Sequence, residues 1–140
     1  RKYAEYNEKI MPPFTTKHNA SVILRYSNEK LKSIIGVTNR FASGRAYHNP
    51  NLPEVMNETT PAYNSLDVSW TVLAHKRLII YASASNILGR TNIYGYDYNP
   101  NPNTSGRYEA KPIKSYQNNF FFIGFFWTIS GKVAYDPATF

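Results

Sequence analysis

The chain has 140 residues, the length of one ordinary domain, and it contains no cysteine. The lack of thiols excludes a disulfide-stapled scaffold, a thiolate zinc site, an iron–sulfur cluster and a cysteine nucleophile. Basic residues number 16 and acidic residues 9, which gives a net charge of +7, while aromatic residues make up 16% of the chain. This composition is not that of a disordered tail. No stretch approaches the roughly 18 consecutive apolar residues of a membrane-spanning helix.

A weak helical pattern covers 3–11, and Pro12 and Pro13 end it. The rest of the chain is rich in Asn, Tyr, Thr, Ser and Pro, which favour strands and turns. Five segments alternate apolar and polar residues with a period of two, the pattern of a strand with one wet and one apolar face. We therefore predict five strands, which cover 16–26, 31–42, 62–73, 77–88 and 119–130.

The third segment has the clearest alternation. Leu66, Val68, Trp70 and Val72 fall on its apolar face. The last segment is apolar on both faces. We expect the polar faces to line an aqueous interior, and the residues predicted to do so are Tyr63, Ser65, Asp67, Ser69, Ser83 and Ser85.

The lengths and connections of these segments indicate a membrane barrel. Each segment has 11 or 12 residues, whereas strands of soluble domains have about 5–6 and tilted bilayer-crossing strands about 9–11. Two connections are short, and two, over 43–61 and 89–118, are long. Outer-membrane barrels alternate tight periplasmic turns with long outer loops in this way. Tyr26, Trp70 and Trp127 fall near the same end of their strands, where an aromatic girdle is expected.

The predicted fold class is therefore all-β, with antiparallel up-and-down strands that form a roughly five-stranded segment of a transmembrane outer-membrane β-barrel. Closed bacterial barrels need at least about eight strands. We therefore expect the missing strands to come from elsewhere in a larger parent or from other copies. Residues 131–140 are predicted to form a tail after the last strand.

Several stretches resemble, in the same order, the C-terminal end of TonB-dependent outer-membrane receptors. They are FASGRAY at 41–47, NPN at 49–51, TPAYNSLDVSW at 60–70, IYASASNILGR at 80–90, NIYGY at 92–96 and FFFIGFFWTI at 120–129. The run SNILGR resembles the family element at which the next-to-last strand enters its outer loop. The chain lacks the family's plug, and 131–140 continue past the predicted final strand.

The resemblance implies a 22-stranded barrel in the outer membrane of a Gram-negative bacterium, filled by an N-terminal plug. It implies active uptake of a large or scarce ligand, driven through TonB, with residues 1–140 as the C-terminal part of the barrel domain. The implied partners are outer-membrane lipid, the rest of the barrel and the plug, TonB through that plug, and an imported ligand of unknown identity.

The residues give little support for catalysis, and we expect no enzyme activity, cofactor or metal. His18, His48 and His75 fall at a strand start, a long loop and a short turn, so they are not expected to converge on a metal or a triad. Asp67 is the only acid inside a predicted strand, and we expect it to be paired with Arg or Lys or hydrated. The basic residues are scattered, so we expect no nucleic-acid partner either.

The best candidates for ligand contact are Tyr94, Tyr96 and Tyr98 on one long loop, joined by Arg45 and Tyr47 on the other. Tyrosine combines a stacking face with a hydroxyl, which suits sugars, peptides or chelates at a wet surface. The alternative is that these tyrosines pack the loops against each other or sit in an upper aromatic girdle.

A soluble all-β binding module, such as a carbohydrate-binding sandwich, is the alternative function. In that case Leu66, Val68 and Trp70 lie in a dry core. The same distinction applies to Val72, Ile80 and Phe125, which the barrel interpretation places against hydrocarbon rather than among other side chains.

Overall fold

The computed structural model describes residues 12–13 and 15–129. The described chain is all-β, with nine strands and no helix. The weak helical candidate at 3–11 and the predicted tail at 131–140 lie outside the described residues. Within the described part, no helical segment has the length and apolar character needed to cross a membrane.

Five long strands form one antiparallel sheet, which confirms the predicted all-β, five-stranded architecture. The sheet order is β1-β2-β5-β6-β9. The bounds are β1 Asn19–Asn28, β2 Ser33–Ala42, β5 Tyr63–His75, β6 Leu78–Ser85 and β9 Phe120–Trp127.

The two long connections, predicted as loops, carry short strands. In the first, β3 (Ala46–Tyr47) pairs with β4 (Glu58–Thr59). In the second, β7 (Ile93–Tyr98) pairs with β8 (Ala110–Lys114). Strands of two residues are too short to show a period, and Pro112 in β8 is a residue that sheets accept only at edges or bulges.

The described chain divides into two compact units. The hairpin unit contains the described residues up to Ala20 together with Phe41–Asn64 and Thr91–Tyr116. The sheet unit contains Ser21–Arg40, Ser65–Arg90 and the described residues from Gln117 onwards.

The first strand begins at Asn19 rather than at the predicted residue 16, because the preceding residues make other contacts. Thr16 forms an isolated bridge with Arg45. The Ser43 hydroxyl accepts hydrogen bonds from the backbone N–H groups of Lys17 and His18, each at 3.0 Å. These contacts replace the strand pairing that was predicted for the residues before Asn19.

The ends of β5 and β6 also differ from the prediction. The third strand continues to His75 through a bulge between Leu73 and His75, which leaves a two-residue turn before β6. The β6 strand ends at Ser85 because Asn86 and Gly89 take left-handed φ angles of 49° and 63°. The N–H of Gly89 donates to the carbonyl of Asn86 at 2.8 Å, which closes a turn.

The register across β5, β6 and β9 confirms the predicted separation of faces. Ser69 lies opposite Ser83. On the other face Val72 lies opposite Ile80, and Ile80 opposite Phe125. Gly36 of β2 belongs to the Ser69 face, because a Cβ built on it would lie 2.7 Å from the serine hydroxyl.

The two tryptophans of the apolar face lie at different distances from the β5–β6 turn, so they are displaced relative to each other along the strands. Trp127 lies opposite Leu78, beside the β5–β6 turn, whereas Trp70 lies opposite Ala82, further from that turn. The displacement arises because β5 extends beyond its predicted end.

The apolar face is not covered by other described residues. Phe121, Ile123 and Phe125 are 71%, 77% and 79% exposed. Val72 and Ile80 are half-buried. Ala46 and Leu73 are the buried hydrophobic residues of the described chain, so it has almost no dry core.

Candidate ligand-binding site in the hairpin unit

The β3–β4 hairpin positions Arg45 and Tyr47. The N–H of Arg45 donates to the Thr60 hydroxyl at 3.0 Å, and the N–H of Thr60 donates to the Arg45 carbonyl at 2.9 Å. A Cβ on Gly44 would collide with the backbone carbonyl of Thr60, so the close approach of these segments requires glycine. Tyr47 then lies directly opposite Glu58 in the ladder.

The β7–β8 hairpin positions the three predicted tyrosines of the second connection. Tyr96 pairs with Pro112 and Tyr98 with Ala110, so these two tyrosines share one face. The intervening Asp97 points to the other face. The ladder is irregular between Ile93 and Gly95, which places Tyr94 in the irregular stretch.

The structure brings the five predicted ligand-contact residues together. The ring centroids of Tyr47 and Tyr96 are 4.8 Å apart at 38°. The Arg45 guanidinium carbon lies 5.9 Å from the centre of the Tyr94 ring, and the Tyr63 and Tyr94 rings are 6.1 Å apart. We use the term tyrosine cluster for the group formed by these residues and their neighbours: Arg45, Tyr47, Glu58, Tyr63, Tyr94, Tyr96 and Tyr98.

Glu58 is the polar centre of the tyrosine cluster. Its Oε2 accepts a hydrogen bond from the Tyr47 hydroxyl and another from Asn49 Nδ2 at 3.1 Å. Burial, followed by the hydrogen bond to Glu58, raises the pKa of Tyr47 well above its ordinary value. Burial also raises the pKa of Tyr98, against the opposing hydrogen bond with Tyr47. The hydroxyls of Tyr47 and Tyr98 therefore stay protonated well above physiological pH.

The contact between the Tyr47 and Tyr96 rings joins the β3–β4 hairpin to the β7–β8 hairpin. Such a contact is what we expect if the tyrosines pack the two long connections against each other. All five predicted side chains are half-buried, so part of each remains accessible. Sequence reasoning missed Glu58, and it assigned Tyr63 to the lumen-facing residues rather than to the ligand-contact group. The ladder position of Glu58 opposite Tyr47 was not predictable without the short β3–β4 pairing.

Asparagine amides fix the backbone around the cluster in a way that imitates strand pairing. Asn51 donates to the Tyr108 carbonyl at 2.9 Å and accepts from the Tyr108 N–H at 2.8 Å. Asn92 bonds both backbone groups of Asn64, at 3.0 and 2.9 Å. Each amide satisfies one donor and one acceptor that would otherwise lack a ladder partner.

An open cleft of about 440 Å³ adjoins the tyrosine cluster in the hairpin unit. Residues 49–52 and Glu58 line it from the first connection, and Gly106, Arg107 and Tyr108 line it from the second. Glu58 thus belongs to both the cleft and the cluster. The cleft was not predicted, because it is made by residues 57 positions apart in the sequence.

In the sheet unit, Asp67 is the centre of a polar network that includes one other predicted lumen-facing residue, Ser65. One carboxylate oxygen accepts from the Ser65 hydroxyl at 2.7 Å and from the Asn86 N–H at 2.8 Å. The other pairs with the guanidinium of Arg40, which confirms the predicted basic partner. Ser69 and Ser83 lie opposite each other, and Ser85 lies opposite Phe120.

The described residues contain no group of three or more His, Asp or Glu side chains that could hold a metal ion. Comparison of the chain with family models, with curated proteins and with solved structures gives no match.

Proposed function

We propose that this chain forms part of the wall and outer loops of a TonB-dependent receptor in the outer membrane of a Gram-negative bacterium. In this role it transports and does not catalyse. The apolar face of the sheet contacts lipid, the polar face lines the lumen beside a plug, and the hairpin unit contributes to the outer ligand-binding surface.

The exposed apolar face of the sheet carries the proposal. Phe121, Ile123 and Phe125 alternate along β9, and each is more than two-thirds exposed. Contiguous exposed apolar surface of this kind marks contact with another protein or with a membrane. A bilayer removes these side chains from water along the whole face, and strands that cross it alternate between lipid and lumen.

The opposite face supports an aqueous interior. The Arg40–Asp67 ion pair and the facing Ser69 and Ser83 would be costly against hydrocarbon. They are favourable in a hydrated lumen. Since five strands do not close a barrel, the proposal requires other strands to pair with the free edges of β1 and β9.

The alternative soluble module requires a dry core that the described residues do not form. Leu66 and Val68 are half-buried, and Trp70 is 44% exposed. These exposures favour the membrane proposal over a sandwich whose apolar faces pack on each other.

Heat-modifiable gel migration of the full-length parent, purified in detergent, tests the proposal. We expect unboiled protein to migrate differently from boiled protein, because a closed barrel resists unfolding by detergent until it is heated. Identical migration of the two samples, together with a monomeric protein that stays soluble without detergent, would overturn it.

A further inference from the structure

The cleft of the hairpin unit contains charged groups with unused hydrogen-bonding capacity. Its volume of about 440 Å³ lies in the range of small-molecule sites. Glu58 comes from the β3–β4 hairpin and Arg107 from the turn of the β7–β8 hairpin. Two separate segments therefore supply one acidic and one basic group to the same cleft.

The guanidinium of Arg107 is available to a ligand. Arg107 is exposed, and the hydrogen bonds it makes within the described chain are backbone bonds to Asn103: its N–H donates to Asn103 Oδ1 at 3.0 Å, and its carbonyl accepts from the Asn103 N–H at 2.8 Å. A planar guanidinium binds a carboxylate through two parallel hydrogen bonds. The cleft therefore has an anion-binding group that the described fold does not use.

Glu58 offers the complementary acceptor. Both hydrogen bonds that it accepts within the described chain, from Tyr47 and Asn49, end on Oε2. Its Oε1 is left to accept from a ligand hydroxyl. The two bonds on Oε2 hold the carboxylate in place, so the free oxygen is already oriented before a ligand arrives.

The backbone of the cleft is closed to a peptide that would bind as an added strand. Asn51 occupies both backbone groups of Tyr108. Asn57 occupies those of Asn49 in the same way, at 3.1 and 3.3 Å. Strand addition needs free backbone donors and acceptors. The backbone of Tyr108 and Asn49 is therefore closed to strand addition, and the side chains of the cleft are the groups left to recognise a ligand there.

We propose that this cleft binds an acidic saccharide. The sugar carboxylate pairs with Arg107, a sugar hydroxyl donates to Glu58 Oε1, and the C–H face of the sugar ring packs on Tyr108 and Leu52. Leu52 is 43% exposed and Tyr108 half-buried, so both present apolar surface to the cleft. The role of this binding as a capture step for uptake rests on the proposed function, whereas the binding itself does not.

Calorimetric titration of the detergent-solubilised full-length protein tests the inference. Digalacturonate is the probe, and neutral digalactose is its uncharged counterpart. We expect Arg107→Gln to weaken digalacturonate binding about tenfold, the effect of losing one charge-assisted interaction, without changing digalactose binding. Lys114→Gln is the matched control, because it removes the same charge from the exposed end of β8, outside the cleft.

Three results would overturn the inference: no binding of digalacturonate, equal affinity for the neutral sugar, or equal weakening by Lys114→Gln. Tighter binding of a glutamyl dipeptide than of digalacturonate would overturn the saccharide assignment. A heat-modifiable protein that binds no acidic sugar contradicts this inference alone. Loss of heat-modifiability contradicts the proposed function, whatever the calorimetry shows.

Discussion

At the scale of single residues, asparagine explains much of the local structure of the hairpin unit. Asn51 and Asn92 pair with whole backbone units, and Asn103 accepts from the N–H groups of Ser105 and Arg107, each at 3.0 Å. Asparagine carries a donor and an acceptor on one short side chain, so it can replace a missing strand neighbour. The asparagine-rich composition is thus a source of order in this unit.

Because of the tyrosine cluster, we expect the free energy of unfolding to fall at alkaline pH. The pKa values of Tyr47 and Tyr98 are raised in the folded protein above the ordinary value of 10.0. Above about pH 10 the unfolded chain loses these protons while the folded chain keeps them, so the free energy of unfolding falls as pH rises. We expect this fall to begin at about pH 10, where the unfolded tyrosines titrate, and to continue as pH rises until the folded tyrosines lose their own protons.

Replacing Tyr47 by Phe tests that linkage. The variant loses the hydrogen bond to Glu58, which costs about 0.5–1.5 kcal/mol at neutral pH, and its stability should fall less steeply with pH. Denaturant unfolding of both proteins at several pH values measures the two slopes. Tyr116→Phe is the control, since that side chain is fully exposed. Parallel slopes for the Tyr47→Phe variant and the parent would contradict the assignment.

At the scale of elements, period-two alternation located the long strands because four of them have one apolar face, and the fifth was recognised as a long apolar run. It did not locate the ends, since those depend on single residues such as Asn86, whose left-handed φ stops β6. The β3–β4 and β7–β8 hairpins escaped prediction because β3 and β4 have two residues each and β7 contains Gly95. The candidate ligand-contact residues could be predicted from their residue type. Their contacts with each other could not, because those contacts join segments that are distant in the sequence.

Gly44 controls the position of the β3–β4 hairpin. In a Gly44→Ala variant the new Cβ meets the Thr60 carbonyl, and backbone cannot move aside as a side chain can. We expect a loss of about 1–3 kcal/mol, the usual cost of overpacking, and a weaker contact between Tyr47 and Tyr96. Unfolding measurements give the first quantity, and near-ultraviolet circular dichroism of the tyrosines reports the second.

Gly36→Ala is the matched control for that experiment. Its Cβ would meet only the Ser69 hydroxyl, which can rotate away, so the expected loss is smaller. If the two variants lose the same stability, the close approach of Gly44 to Thr60 is not what constrains the hairpin.

At the scale of the whole molecule, neither unit relies on a dry hydrophobic core. The buried residues of the described chain are mostly polar or small, among them Ser33, Thr60, Ser65, Asn86 and Asn92. Many large aromatic and aliphatic side chains are exposed instead, among them Phe121, Ile123 and Phe125 on the apolar face of the sheet. Soluble domains derive most of their stability from burying such side chains. The arrangement is consistent with stabilisation by lipid contact and by strands beyond the five.

Adjacent residues of β6 allow a direct test of which face meets lipid. Ala82 lies opposite Ile123 on the apolar face, and Ser83 lies opposite Ser69 on the polar face. The chain has no cysteine, so Ala82→Cys and Ser83→Cys each give one labelling site in it, at nearly unchanged side-chain volume. Any cysteines elsewhere in the parent would be replaced. A fluorophore at each site, in vesicles with brominated lipid chains, measures contact with the hydrocarbon.

We expect strong quenching by brominated lipid for Ala82→Cys and weak quenching for Ser83→Cys, because neighbouring residues of a strand point to opposite faces. Aqueous iodide should show the reverse preference. Both variants keep the same strand, depth and label, so only the face differs between them. Equal quenching by iodide at both positions would mean that the apolar face is in water. No response to brominated lipid at either position would mean that this face does not contact hydrocarbon. Either result would contradict the transporter proposal.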